Sequence, residues 1–154
     1  MSRWRSDAGV EGTAIMGSSM GGLISLHGLI SYPQVFGGAG CLSTHWPVST
    51  NHPPQVRLGA LRVAAIGNAH LEFVAGRCHV QARTGFTSTM ARPVSTPGTQ
   101  PFQERMNGIL ADRGYRRGTD SLALAFPGAD HDERSCRARL ATPMAFLLQS
   151  SARP

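Results

Sequence analysis

The pentapeptide Gly17-Ser18-Ser19-Met20-Gly21 sets a serine among small residues, after an apolar run and before a helix-like segment. A serine hydroxyl lifted out of a sheet at such a turn is a nucleophile for acyl transfer, able to attack a carbonyl carbon when a neighbouring base takes its proton. The turn must be sharp, and glycines let the backbone take that strained shape. A plain strand-to-helix turn can carry the same pentapeptide, so the flanking elements decide between the two.

The second constellation lies near the C-terminus, where Ser121–Phe126 is followed by Pro127-Gly128-Ala129-Asp130-His131-Asp132-Glu133. A histidine just past a strand can act as the general base for a serine and later return the proton to the leaving group. Two other readings stay open: an exposed loop histidine among carboxylates, and metal ligation by Asp130, His131, Asp132 and Glu133. Adjacent residues rarely point at one ion. His27, His45, His52, His70 and His79 have no ligand spacing and read as structural or exposed, while Met16 and Met20 read as packing.

The elements that must position these groups follow from apolar patterning. Thr13–Met16 reads as a short buried strand, and Gly22–Ile30 carries apolar residues three and four apart, as a packed helix does. Tyr32-Pro33 ends that helix and Ala39–Ser43 reads as the next buried strand, which makes a strand, elbow, helix, strand crossover of a parallel sheet. Phe102–Arg113 reads as a helix, Ser121–Phe126 as a strand, and Arg134–Leu148 as one last helix with Leu140, Met144, Leu147 and Leu148 on one side. In such a sheet the loops after the carboxyl ends gather on one edge, so Ser19 and His131 can meet.

Composition narrows the class. The chain has 154 residues, 41% of them hydrophobic, which suits one soluble domain with a core of its own. The net charge of +6 comes from fifteen arginines and no lysine, spread from Arg3 to Arg153. A nucleic-acid stripe would be concentrated, so no nucleic-acid partner is expected. Arginine without lysine, with abundant Ala, Gly and Pro, is the mark of a GC-rich coding sequence. Cys41, Cys78 and Cys136 are an odd number at wide spacing and read as free thiols. His27, Tyr32 and Pro33 interrupt the best candidate membrane span, and Ser6-Asp7 follows the N-terminal arginines where a signal peptide would be apolar. The expectation is a soluble cytoplasmic protein without a membrane partner.

Thr13 to Leu26, then Tyr32-Pro33, Val35–Gly38 and Leu42-Ser43-Thr44-His45-Trp46, closely resemble the putative-esterase branch of α/β-hydrolases, which includes enterochelin-esterase-like and esterase D-like proteins. Phe126–Glu133, Arg137–Leu140 and Phe146–Leu148 resemble that branch's histidine loop and final helix. The resemblance covers residues 13–48 and 102–148. It implies an α/β fold, a partial α/β-hydrolase with a mostly parallel sheet flanked by helices. It further implies Ser19 as nucleophile, His131 as general base, the Met20 backbone N–H as an oxyanion donor, a small-molecule ester as substrate, and no metal or organic cofactor.

Two departures accompany the resemblance. The family has several strands before the elbow, one of which supplies a second oxyanion donor, so the fold is expected here without those strands. The family's triad acid comes from a strand ending in an aspartate-glycine-threonine turn, and residues 65–101 read as an atypical segment within a single domain spanning 1–154. Asp112 falls in a helix and Asp120 before the last strand, so neither takes the acid's place. The genetic code offers an account. Joining the third base of each codon from Arg83 to Arg92 to the first two of the next permits His-Arg-Ile-Tyr-Phe-Asp-His-Gly-Thr, with the glycine fixed by Met90 and Ala91. The family pattern then resumes at Phe102. Out-of-frame translation of this middle segment, or disorder across it, is the expectation.

Overall fold

The apolar run before the pentapeptide forms strand β1 (Ala14–Ser18), and the segment after it forms helix α1 (Met20–Ser31). The helix stops at Tyr32 because a residue before proline is driven out of the helical region; Tyr32 sits at φ −130°, ψ 55°. Strand β2 (Gly38–Leu42) is buried at every position. Helix α2 (Ala60–Arg77), strand β3 (Gly85–Arg92), helix α3 (Gln100–Asp112), strand β4 (Ser121–Pro127), helix α4 (Glu133–Arg139) and helix α5 (Ala141–Ser150) complete the chain. The computed structural model describes residues 9–46, 59–78, 85–92 and 100–150. Of residues 65–101, it therefore describes most of α2, all of β3 and the start of α3.

The four strands pair in the order β1-β2-β3-β4, all parallel, with Ser18 opposite Leu42 and Leu42 opposite Thr89. Each crossover steps to the next strand in one direction, and right-handed connections put α1, α2 and α3 on one face. Leu26 and Leu29 of α1, Leu71 and Val74 of α2, and Phe102, Met106 and Leu110 of α3 bury there against Ala39 and Cys41, the alternate residues of β2. Burial pushes the Cys41 thiol well above the usual thiol range, so it packs as a small apolar group. Helix α5 contacts β2 and β3, and its buried Leu147 lies outside that cluster, so α5 covers the opposite face.

One expected element is corrected. The single helix over Arg134–Leu148 is two, broken at Leu140. Pro143 lacks the N–H that would bond to the Arg139 carbonyl and fits only within the first turn of a new helix, where it is fully buried. The break turns the apolar side: Leu147 is buried, while Met144 and Leu148, expected beside it, are exposed.

Candidate active site

Parallel strands bring all four carboxyl ends to one edge, and the residue that follows β1 there is Ser19. It has φ 57° and ψ −116°, a left-handed region that side chains avoid. Its backbone is held from both ends. The Ser19 N–H donates to the Leu42 carbonyl at 2.8 Å, and the Ser19 carbonyl accepts from the N–H groups of Gly22, Leu23 and His45 at 3.2, 3.4 and 3.3 Å.

The flanking glycines do not contribute alike. A Cβ on Gly17 would lie 2.7 Å from the Gly21 carbonyl carbon and oxygen, a backbone clash, whereas a Cβ on Gly21 would meet nothing within 4 Å. The third small position that matters is Gly22, whose Cβ would lie 2.9 Å from Thr44 Oγ1. Close approach of α1 to β1 and to the β2 loop thus rests on Gly17 and Gly22. Met20 is the first residue of α1, so its N–H is one of the donors a helix cannot satisfy internally, at the end where the helix dipole favours negative charge.

The residue following β2 is Ser43, the second non-glycine residue at positive φ, 47°. It lies between Leu42, whose carbonyl holds the Ser19 N–H, and the Thr44-His45 pair that packs over the elbow. Thr44 Oγ1 is buried and has no hydrogen-bond partner among the described residues. His45 is half-buried, and its pKa is lowered by that burial first and by the positive charge of His131 second. That influence on His45 puts the His131 ring in its neighbourhood.

His131 is exposed, four residues past β4 on a loop that turns at Gly128, φ 78°. Asp132 caps α4: its Oδ1 accepts from the Ser135 N–H at 2.6 Å. That hydrogen bond, with Arg134 and Arg139 behind it, holds the Asp132 carboxyl below its ordinary range. A capping carboxylate is committed to the backbone, and among the described residues no three His, Cys, Asp or Glu side chains converge on a metal-sized site.

Ser19 and His131 are thus brought to the same edge, but among the described residues no hydrogen bond joins the Ser19 hydroxyl to the His131 ring, and no carboxylate pairs with that ring. Asp112 ends α3 and Asp120 immediately precedes β4, both at the opposite edge; Asp120 binds Arg116 at 2.7 Å.

Sequence patterning missed Ser43, His45 and Arg139. Arg139 is only 5% exposed, and its guanidinium donates to Ser43 Oγ at 3.2 Å and to the Asp130 carbonyl at 3.4 Å. A buried arginine leaves no sequence signal that separates it from its exposed neighbours Arg134 and Arg137. His45 carried no spacing with any other histidine, because its role comes through its own backbone N–H.

Comparison with known proteins places this edge in context. The chain aligns with a ferulic acid esterase at 13% identity and TM-score 0.65, covering 94% of this chain and 54% of that one. The enterobactin esterase of Shigella flexneri aligns at 18% identity and TM-score 0.59, covering 96% and 34%, and S-formylglutathione hydrolase of Staphylococcus aureus at 12% and 0.54, covering 94% and 53%. The chain therefore spans between a third and about half of the solved proteins it resembles, and shares with them a partial α/β-hydrolase fold. No curated protein sequence matches it. A family profile described as "Putative esterase" matches residues 2–119, which takes in the elbow and stops before the histidine loop. By that match across most of its length, the chain belongs to the putative esterase family.

Proposed function

We propose that this chain is a serine hydrolase acting on carboxylic esters, with Ser19 as nucleophile and His131 as general base. The observation that carries the reading is the Ser19 backbone, held at φ 57° by four hydrogen bonds at the carboxyl edge of a parallel sheet. Strain of this kind costs about 1–3 kcal/mol and persists where the surroundings over-determine it.

In the reaction Ser19 Oγ forms a bond to the ester carbonyl carbon as its proton passes to His131. The Met20 N–H at the start of α1 donates to the oxyanion. The tetrahedral intermediate collapses by breaking the bond to the alkoxy oxygen, which leaves as an alcohol with the proton from His131. Water, activated by the same histidine, then releases the acid and restores the serine. Nothing in this chemistry calls on a metal or organic cofactor.

Hydrolysis of a p-nitrophenyl ester tests the reading. Ser19→Ala and His131→Ala are each expected to lower turnover roughly 10³-fold or more; equal rates in wild type and Ser19→Ala would remove Ser19 from the chemistry.

A second reading, a catalytically inactive hydrolase remnant or interaction fragment, draws on one observation: His131 has neither a carboxylate partner nor a hydrogen bond to Ser19 among the described residues. Turnover at background level in wild type, with Ser19 inert toward a fluorophosphonate, supports that reading instead.

A further inference from the structure

We infer that Arg139 is a positioning residue, a guanidinium clamp that ties the His131 loop to the loop holding Ser19. The inference rests on the roles just proposed for Ser19 and His131.

The sheet order sets the problem. With β2 and β3 between them, the ends of β1 and β4 are three strand spacings apart, about 14 Å. A histidine that follows β4 serves a serine that follows β1 only if its loop is drawn back across the sheet edge and kept there. The loop's own anchors lie at its two ends. His131 is exposed; the turn at Gly128 carries the bond from the Ala129 N–H to the Phe126 carbonyl at 3.2 Å, and the other end is fixed where Asp132 caps α4.

Arg139 spans the gap. From the last turn of α4, its Nε donates to the Ser135 carbonyl at 2.8 Å, which fixes the side chain along its own helix. Nη2 donates to the Asp130 carbonyl at 3.4 Å, next to His131, and lies 3.5 Å from Cys136 Sγ. Nη1 donates to Ser43 Oγ at 3.2 Å, and the guanidinium lies 5.5 Å from the centre of the Phe126 ring of β4. Ser43 follows Leu42, whose carbonyl accepts the Ser19 N–H, and precedes His45, whose N–H donates to the Ser19 carbonyl. One planar group therefore bonds both halves of the site.

Stability alone does not explain this choice. Burying a charge is costly, and an apolar side chain of similar volume commonly does as well or better at such a site. A rigid fork of five donors gives what an apolar group cannot, simultaneous bonds to two loops at fixed angles. Lysine keeps the charge but carries its three donors on one nitrogen, and that nitrogen cannot reach Asp130 and Ser43 with the same geometry.

The test compares wild type with Arg139→Met, Arg139→Lys and Arg139→Ala, reading amide hydrogen exchange and ester turnover on each protein. The expected result is faster exchange in residues 128–132 and 43–45 together, with α1 and β2 unchanged. Turnover should fall roughly 10²-fold at similar KM, the order that a displacement of about 1 Å costs. Lysine should recover little, whereas added guanidinium ion should restore part of the loss in Arg139→Ala, a response that a packing role alone does not give. Unchanged exchange in the two loops overturns the clamp. Loosened loops with wild-type turnover overturn its part in catalysis. Wild-type protein without Ser19-dependent turnover overturns the functional reading and this inference with it, whereas active wild type matched by all three variants overturns the inference alone.

Discussion

Gly17 and Gly21 look equivalent in the pentapeptide but are not equivalent in space. An alanine at Gly17 must push the backbone of Gly21 away from a 2.7 Å contact, which loosens the turn that holds Ser19. Gly17→Ala is expected to cost about 1–3 kcal/mol, as overpacking does. Gly21→Ala enters open space at the second residue of α1 and should change stability by no more than about 0.5 kcal/mol, since surface changes away from special features do little. Chemical denaturation of the two variants separates them, and equal losses would mean that the helix does not approach β1 as closely as described. His45 gives a pH signature at the same scale. Burial and the neighbouring His131 lower its pKa in the fold, so below the ordinary value of about 6.5 the unfolded chain takes up a proton that the folded chain refuses. Stability should therefore fall as pH drops through 6.5 toward the folded value, and His45→Gln should flatten that part of the profile. A variant profile as steep as wild type would assign the dependence to another group.

At the scale of elements, the sequence was legible where a segment carries a continuous apolar run, although β1, expected as a buried strand, is half-buried to exposed and only β2 is buried along its length. β1, β2, β4 and α1 lie within two residues of their expected bounds for that reason, and α3 does likewise. Helix α2 was not legible. Gly67 and Gly76 interrupt it, Leu61 at one end is 88% exposed, and Gly67 sits where the ring of Phe102 would meet any side chain. A glycine in mid-helix lowers local propensity by about 1 kcal/mol relative to alanine, so this helix is specified by what packs on it. Strand β3 offers only Phe86, Met90 and Ala91 as apolar residues in GFTSTMAR; its pairing with β2 on one side and β4 on the other defines it. The α4–α5 break was visible as Pro143, though the continuing run of leucines outweighed it in the pattern. The cap of α4 makes the element-scale prediction. Asp132→Ala should speed exchange of the Ser135 amide and fray the turn that carries His131. Because the Asp132 carboxyl is held low by the Ser135 hydrogen bond, its contribution is present above the usual carboxylate range, about 3.9, and is lost as pH falls through the lower folded value. The wild type and variant should accordingly converge in acid, and a difference that persists at the lowest pH would show that the cap does not depend on the charge.

At the scale of the whole molecule, three loops leave the same edge: one after β1 with Ser19, one after β2 with Ser43 and His45, one after β4 with His131. Strand β3 stands between β2 and β4, where a carboxylate at its end could orient the histidine, yet residues 93–99, which follow it in the sequence, read Pro-Val-Ser-Thr-Pro-Gly-Thr and contain no acid. The register sharpens this gap. Thr89 stands beside Leu42, the residue before Ser43, and beside Leu124 of β4. In the overlapping frame, the aspartate of the Tyr-Phe-Asp-His-Gly stretch is encoded across the codons of Ser88 and Thr89, which is that same level of the sheet. An out-of-frame middle segment would account for a strand of weak pattern that lacks a carboxylate at this level of the sheet. The prediction is that the coding sequence carries compensating one-base shifts before about residue 78 and near Pro101. A chain with that frame restored should hydrolyse esters roughly 10⁴-fold faster than the chain with the present middle segment, the order lost when a triad acid is neutralised. Turnover that is unchanged by the restored segment, while still dependent on Ser19 and His131, would show instead that this sheet edge works without an acid from β3.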